Sequence, residues 1–324
     1  MSKPKNLHAI ILASGEDHHL KSLIAALAGA DVPKQFAPIA GHGSLLQQTV
    51  ARYASLVPPD RMIVVVSSAH ERLARAQLRD WPGLDIIARP AECGGGLDLL
   101  LPLGRVLSRA PDARVVITPA DHFVPYPEAL VASVGAACAA LDEAALILVG
   151  VAGGSRRGSQ GWIVPGRPLK GGVFSVAGLL EQATPVQAAQ LVAVGALKNI
   201  STTVARAEHL WHLAARQLPM QAEAVAHLWA SSHASGAVDA GAYLDMPAVE
   251  LNGSLLRNAK DLAVVPVYGS GWTDWTSAEH VIDSLENPRE LEHLLLRIWN
   301  HQRARGRTQL RPRNPPCSGD ARAA

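Results

Sequence analysis

The chain reads as one large α/β domain, a mostly parallel sheet with helices on both faces and a small β-rich lid. Three observations predict this. Short continuous apolar runs of strand length recur through the first half, each followed by turn residues and then by apolar positions at three- and four-residue spacing. Strands that are continuously apolar and interleaved with helices imply a parallel sheet buried on both faces. After Gly150 the pattern changes to short segments punctuated by Gly and Pro, which suit antiparallel strands and turns.

The elements follow in order. Leu7 to Ala13 is the first strand, closed by Ser14-Gly15, and Leu20, Leu23, Ile24 and Leu27 then mark a helix. Met62 to Val66, Leu84 to Ala88, Val115 to Thr118 and Ala145 to Val151 read as the next four strands. Ser44 to Leu56, His70 to Leu78, Leu97 to Ala110 and Pro127 to Leu141 carry helical spacing between them. Gly153 to Gly178 is the lid. Gln187 to Val194 and Ala205 to Leu218 return to helical periodicity, Leu262 to Val267 is a further strand, and Ala278 to Leu285 and Pro288 to His301 close the domain as helices. The domain is expected over residues 1–302, with residues 303–324 an Arg/Pro-rich disordered tail.

Composition bounds the function. Hydrophobic residues make up 48% of the 324 residues and charged residues 18%, enough to bury a real core and too apolar for a disordered chain. The formal net charge of +2 comes from 30 basic and 28 acidic side chains, and six of the arginines sit in the tail beside Asp320. The remaining body, 24 basic against 27 acidic, has no electrostatic footprint for nucleic acid. The chain's three cysteines, Cys93, Cys138 and Cys317, are widely spaced and form no ligand pair, which suits a reduced cytoplasmic interior. The longest apolar stretch, Ala144 to Ala152, is less than half a membrane span, so no membrane partner is expected.

On a parallel sheet, ligands sit at the carboxyl ends of the strands, so the informative loops follow Ala13, Ala88 and Thr118. After Ala13 comes Ser14-Gly15-Glu16-Asp17-His18-His19, and then, at 33 to 36, Pro33-Lys34-Gln35-Phe36. Further on stand Thr118-Pro119-Ala120-Asp121-His122, Gly161-Trp162-Ile163, Gly195-Ala196-Leu197-Lys198-Asn199 and Gly271-Trp272-Thr273-Asp274-Trp275. On residue type alone Asp121 also suits a helix cap, Asp274 a turn and Lys34 a solvated loop. The three tryptophans suit packing as readily as base stacking. His18 and His19 have no third ligand beside Asp17 and read as a solvated loop.

Taken together and in this order, these segments resemble the sugar-1-phosphate nucleotidyltransferases, most closely the mannose-1-phosphate guanylyltransferase branch. The resemblance implies a Rossmann-like fold of the nucleotide-diphospho-sugar transferase type. It also implies transfer of a nucleotidyl group from a nucleoside triphosphate, GTP in that branch, to a hexose-1-phosphate, with release of pyrophosphate. Asp121 and Asp274 fall at the positions that hold the family's Mg²⁺. Lys34 and His19 take the catalytic positions, Ala13, Ser14, Gly15 and Gly94 those that meet nucleotide and phosphate, and Gly161, Glu181 and Asn199 those that meet the sugar phosphate. Such chemistry asks for positioning and charge neutralisation rather than a side-chain nucleophile, and the sequence carries no Ser/His/Asp or Cys/His triad. A homo-oligomer is compatible with the sequence, which leaves the oligomeric state open.

The departures from the family pattern fall on chemistry. Ser14 and Asp17 stand at two glycine positions of the first loop, and His19 stands at the arginine. An unperturbed imidazole is mostly neutral at pH 7 and lacks the guanidinium fork. In Arg89-Pro90-Ala91-Glu92-Cys93-Gly94 only the proline and one glycine match, and Gln182 stands where the family has the lysine that meets the sugar phosphate. Lys198 replaces a tryptophan. These changes open a second reading, a homologue of weak or no turnover that binds a ligand or regulates a partner.

Overall fold

The structure is a computed structural model that describes residues 4–15, 20–28, 31–39, 43–89, 94–153, 161–231, 259, 261–284, 292, 296, 299 and 303. Its strands are β1 (Leu7–Leu12), β2 (Met62–Ser67), β3 (Asp85–Arg89), β4 (Arg114–Pro119), β5 (Leu146–Val151), β6 (Trp162–Pro168), β7 (Phe174–Leu180), β8 (Leu197–Arg206) and β9 (Leu262–Val267). The helices are α1 (Lys21–Ala28), α2 (Leu45–Ala54), α3 (Glu71–Gln77), α4 (Gly94–Arg109), α5 (Pro127–Ala139), α6 (Pro185–Ala193), α7 (Ala207–Gln217), α8 (Pro219–Ser231) and α9 (Ala278–Asp283), with a 3₁₀ turn at Lys34–Phe36.

All nine strands form one sheet in the order β3-β2-β1-β4-β8-β5-β9-β7-β6. The pairings run parallel from β3 through β4 and between β5 and β9, whereas β8 and β7 are antiparallel to their neighbours. Seven strands therefore point one way and two reverse, the mostly parallel sheet that the apolar runs predict. The segment read as a lid is the edge of this same sheet, because β7 hydrogen-bonds to β9 and β6 to β8.

Alternate residues of the central strands feed two cores. Ile10, Ile63, Val65, Val115, Ile117, Leu146 and Leu148 meet α4, α7 and α8 on one face. Ala9, Ile11, Val64, Val66, Val116, Ile147 and Val149 meet α2, α3 and α5 on the other. Each fully buried aliphatic side chain contributes about 1.5–3 kcal/mol through burial, and the loss of a single central one is felt throughout the layer. Helix α2 starts where Ser44 and Gln47 form a reciprocal capping box, which satisfies two of the otherwise unpaired first-turn donors.

Two elements were illegible in the sequence. The expected helix from Ala205 begins only at Ala207, because Leu197 to Arg206 is a ten-residue strand set antiparallel between β4 and β5. Its β-branched Ile200, Thr202, Thr203 and Val204 favour that strand. Helix α8, likewise unforeseen, packs so that Trp229 donates from Nε1 to the Leu101 carbonyl at 3.1 Å. The closing helix expected at Pro288 to His301 and the tail from 304 onward lie outside the described residues, apart from the single positions 292, 296 and 299. No described helix is long and apolar enough to cross a membrane.

Candidate functional site

The candidate site lies at the carboxyl ends of β1 and β4, where two segments 150 residues apart are tied by a single β-bridge. Phe123 and Thr273 exchange both backbone hydrogen bonds, at 3.0 Å each. Their neighbours lock the joint: Phe123 stacks on Trp275 with ring centroids 4.8 Å apart, and His122 meets Trp272 edge-on at 5.1 Å. The turn needs Gly271, whose φ is +65° and whose hypothetical Cβ would lie 2.6 Å from Pro125 Cγ. This brings Asp121 and Asp274 to one place.

Lys34 joins them. Its Nζ pairs with Asp121 Oδ2 at 3.1 Å and donates to the Asp274 carbonyl at 2.7 Å. At 3% exposure it is a buried charge rather than a solvated one. The Asp274 carboxylate faces Thr276, whose Oγ1 donates to Oδ1 at 3.4 Å, and His280, whose Nδ1 is 3.6 Å away. Gln35 shapes the first loop, donating from Nε2 to the carbonyls of Ala13 and Gly15, both at 2.8 Å. Those carbonyls are thereby turned toward Gln35. The Ala13 N–H is used by the sheet, donating to Val65 O at 2.8 Å.

Ser14 explains how the loop tolerates a side chain at a glycine position. Its hydroxyl points under the loop and donates to Asp98 Oδ2 in α4 at 2.6 Å. Asp98 is ion-paired with Arg89 at the end of β3. Among the described residues, nothing lies within 4 Å of a Cβ placed on the exposed Gly15.

A second corner forms where β6, β7 and β8 begin or end. Asn199 N–H donates to the Gly161 carbonyl at 2.9 Å, and a Cβ on Gly161 would lie 2.9 Å from Leu180 O and 3.3 Å from Glu181 Cα. Only glycine fits there. The register between β5 and β8 slips between Val149 and Gly150, so that Thr202 opposes Val149 while Asn199 opposes Gly150. Bulges of this kind re-aim side chains at strand ends. Asn199 Oδ1 accepts from Ser201 N–H at 3.0 Å, and Ser201 takes a φ of +53°.

Electrostatics follow from this burial. Desolvation pushes the Asp121 carboxyl up, but the Lys34 ammonium beside it holds it below the usual carboxylate range. Burial pushes His122 down to about 4, against the pull of Asp121. His122 is therefore neutral at pH 7, and the Lys34 ammonium is the cation in contact with Asp121. Desolvation raises the Asp98 carboxyl, with Arg89 opposing it.

Comparison with known proteins bears on this geometry. No protein-family model matches the chain. The xanthan biosynthesis protein XanB of Xanthomonas campestris pv. campestris is 25% identical over 298 residues, covering 86% of this chain and 59% of its own length. The chain thus spans less than two thirds of that curated relative. Among solved structures, mannose-1-phosphate geranyltransferase from Thermus thermophilus superposes with a TM-score of 0.73 at 23% identity, covering 87% of this chain and 80% of its own. Mannose-6-phosphate isomerase from Helicobacter pylori gives 0.64 at 18% identity, covering 83% and 100%. The inositol-1-phosphate CTP transferase from T. maritima gives 0.53 at 14% identity, covering 92% and 98%. The chain has the nucleotide-diphospho-sugar transferase fold. That agrees with the fold its motifs imply.

Within this transferase fold the residues singled out in the sequence divide into two groups. Ala13, Ser14, Gly15, Lys34, Asp121 and Asp274 gather at the first corner, and Gly161, Glu181 and Asn199 at the second. Gly94 opens α4. His19, Asp17 and Cys93 lie outside the described residues. Trp162, Trp272 and Trp275 are all buried and packed. Sequence reasoning missed the roles of Gln35, Asp98 and Arg89, which contact residues of other segments, and of Thr276 and His280, which contact Asp274 within its own turn. The paired Lys-Gln of the 33 to 36 block was the available signal for Gln35.

The donor set suits a hard divalent cation. Asp121 meets the Lys34 ammonium through its carboxylate and Asp274 through its backbone carbonyl, while the Asp274 carboxylate faces Thr276 and His280. Among the described residues no group of three or more His, Cys, Asp or Glu side chains converges as a metal cage. Two carboxylates completed by phosphate oxygens and water is the way Mg²⁺ is usually held, whereas a dedicated protein cage is not required.

Proposed function

We propose that the chain is a sugar-1-phosphate nucleotidyltransferase, joining a nucleoside triphosphate to a hexose-1-phosphate with release of pyrophosphate. Within that class we assign GTP and mannose-1-phosphate, on the order of motifs shared with the guanylyltransferase branch. The observation that carries the reading is the meeting of Lys34, Asp121 and Asp274 at the carboxyl ends of β1 and β4. The relative named for xanthan biosynthesis supports a role in supplying nucleotide sugar for polysaccharide synthesis. The cysteine usage supports a cytoplasmic setting.

The residues have distinct tasks. The exposed Gly15 turn lets triphosphate approach the backbone closely, and Gln35 fixes the direction of its carbonyls. Lys34 offers a positive charge to phosphate oxygens while holding Asp121 ionised. Asp121 and Asp274 would hold Mg²⁺, which supplies charge neutralisation at the reacting phosphates. Gly161, Glu181 and Asn199 orient the sugar, whose own phosphate is the nucleophile. Orientation and neutralisation together account for catalysis in transfers of this type.

The test is Mg²⁺-dependent pyrophosphate release by the purified chain with GTP and mannose-1-phosphate. Asp121→Ala is expected to remove it to background. Turnover equal to that of the unchanged chain would overturn the assignment of Asp121.

A further inference from the structure

The loop after β1 is gripped from two sides. Gln35 Nε2 donates to the carbonyls of Ala13 and Gly15, both at 2.8 Å, and Arg89 Nη2 donates to the intervening Ser14 carbonyl at 3.5 Å. Three successive carbonyl oxygens are thus each held by a side-chain donor. Anions are drawn to backbone N–H groups and repelled by carbonyl oxygens, so the direction in which these carbonyls are held matters to an arriving phosphate. Asp98 completes the grip from just inside the start of α4. It accepts from the Ser14 hydroxyl at 2.6 Å and is ion-paired with Arg89, the last residue of β3. One carboxylate therefore ties down both the Ser14 side chain and the guanidinium that reaches the Ser14 carbonyl. The two side chains of the pair are only 12% and 13% exposed. Desolvation offsets much of the attraction in such a pair, so it is weak evidence for a role in stability alone.

We propose that Asp98, together with Arg89, positions the loop at Ser14 for the phosphates of the nucleoside triphosphate, acting through the Ser14 hydroxyl and carbonyl and touching no substrate itself. The inference rests on the nucleotidyltransferase reading and names the residues that preset its phosphate loop. The tie joins segments 75 and 84 residues apart across the carboxyl ends of β1 and β3. A loop already held in its bound geometry does not have to be ordered by the ligand, and that difference appears as affinity.

Calorimetric titration tests it. The unchanged chain, Ser14→Ala, Asp98→Ala and the double variant are each titrated with GTP in Mg²⁺, with inorganic tripolyphosphate and with mannose-1-phosphate. Each single variant is expected to weaken GTP and tripolyphosphate by roughly 10-fold, the scale of one hydrogen bond to a charged group, and to leave mannose-1-phosphate within about twofold. The double variant is expected to lose no more than the larger single loss, because both changes break the same tie. A merely structural Asp98 would weaken all three ligands together or none. Loss with GTP but not with tripolyphosphate would put the effect at the base and overturn the proposal, and so would single losses that multiply in the double variant. Should Asp98→Ala not fold, Ser14→Ala removes a single hydroxyl, keeps the Arg89–Asp98 pair and decides by the same split between ligands. If the unchanged chain binds GTP and both single variants bind it equally well, this inference fails while the transferase reading stands. If the unchanged chain binds neither GTP nor tripolyphosphate, the transferase reading falls and takes the inference with it.

Discussion

Replacing Lys34 with methionine removes one charge and keeps most of a buried stem, which makes it the sharpest probe of the site's construction. Lys34 is 3% exposed. Breaking a buried ion pair by deleting one partner costs about 3–5 kcal/mol. Here the Asp121 side chain retains 35% exposure, so water recovers part of that cost, and we take about 2 kcal/mol as the net loss. That corresponds to roughly a 30-fold drop in the folding equilibrium constant and a fall in Tm of about 4–8 °C. The pH dependence has a definite sign. With its folded pKa depressed, Asp121 contributes stability that is complete above the ordinary carboxylate pKa of about 3.9 and is lost as pH falls through the lower folded value. Without Lys34, burial is left to raise that pKa, so the difference between the two proteins is largest near pH 7 and shrinks below about pH 4. Urea unfolding followed by tryptophan fluorescence at pH 7, 5 and 3.5 measures it. A loss under about 0.5 kcal/mol at pH 7, or one unchanged across that range, would refute the buried-pair reasoning.

Two further outcomes follow from the same corner. His122 takes up its proton near pH 6.5 when unfolded and only near 4 when folded, so acidification through that window destabilises the chain by up to about 3 kcal/mol. His122→Gln should flatten the stability profile between pH 6.5 and 4, and an unaltered slope there would count against a neutral buried imidazole. Gly271→Ala places a Cβ 2.6 Å from Pro125 Cγ at a φ of +65°, and is expected to cost about 1–3 kcal/mol in thermal unfolding. A melting temperature equal to the parent's would show that the 271–275 turn relaxes freely.

Much of the fold was legible because burial on both faces leaves a simple signature. The continuous apolar runs gave β1, β2, β4, β5 and β9 within one or two residues of their ends, and the helical spacing read from Ser44 onward gave α2, which begins at Leu45. β8 was hidden because Thr202 and Thr203 interrupt its apolar pattern, and because its antiparallel position between β4 and β5 is set by partners 47 to 92 residues away. The site divides in the same way. Lys34, Asp121 and Asp274 carried their own chemical types and came into view as residues. Their supports did not. Gln35 acts on the carbonyls of Ala13 and Gly15, Asp98 on the hydroxyl of Ser14, and Thr276 and His280 on Asp274. The contacts of Gln35 span 20 and 22 residues and that of Asp98 spans 84, with no spacing that a sequence displays, whereas Thr276 and His280 stand within six residues of Asp274. The serine at a glycine position shows the consequence: read alone it obstructs the loop, whereas in the fold its hydroxyl is turned beneath it toward α4.

The central claim is most directly tested by following pyrophosphate release from the wild-type chain with Mg²⁺, GTP and mannose-1-phosphate, beside the other nucleoside triphosphates and glucose-1-phosphate. Sustained release with the GTP and mannose-1-phosphate pair above all others is the predicted result. A folded chain that releases no pyrophosphate with any pair would contradict it.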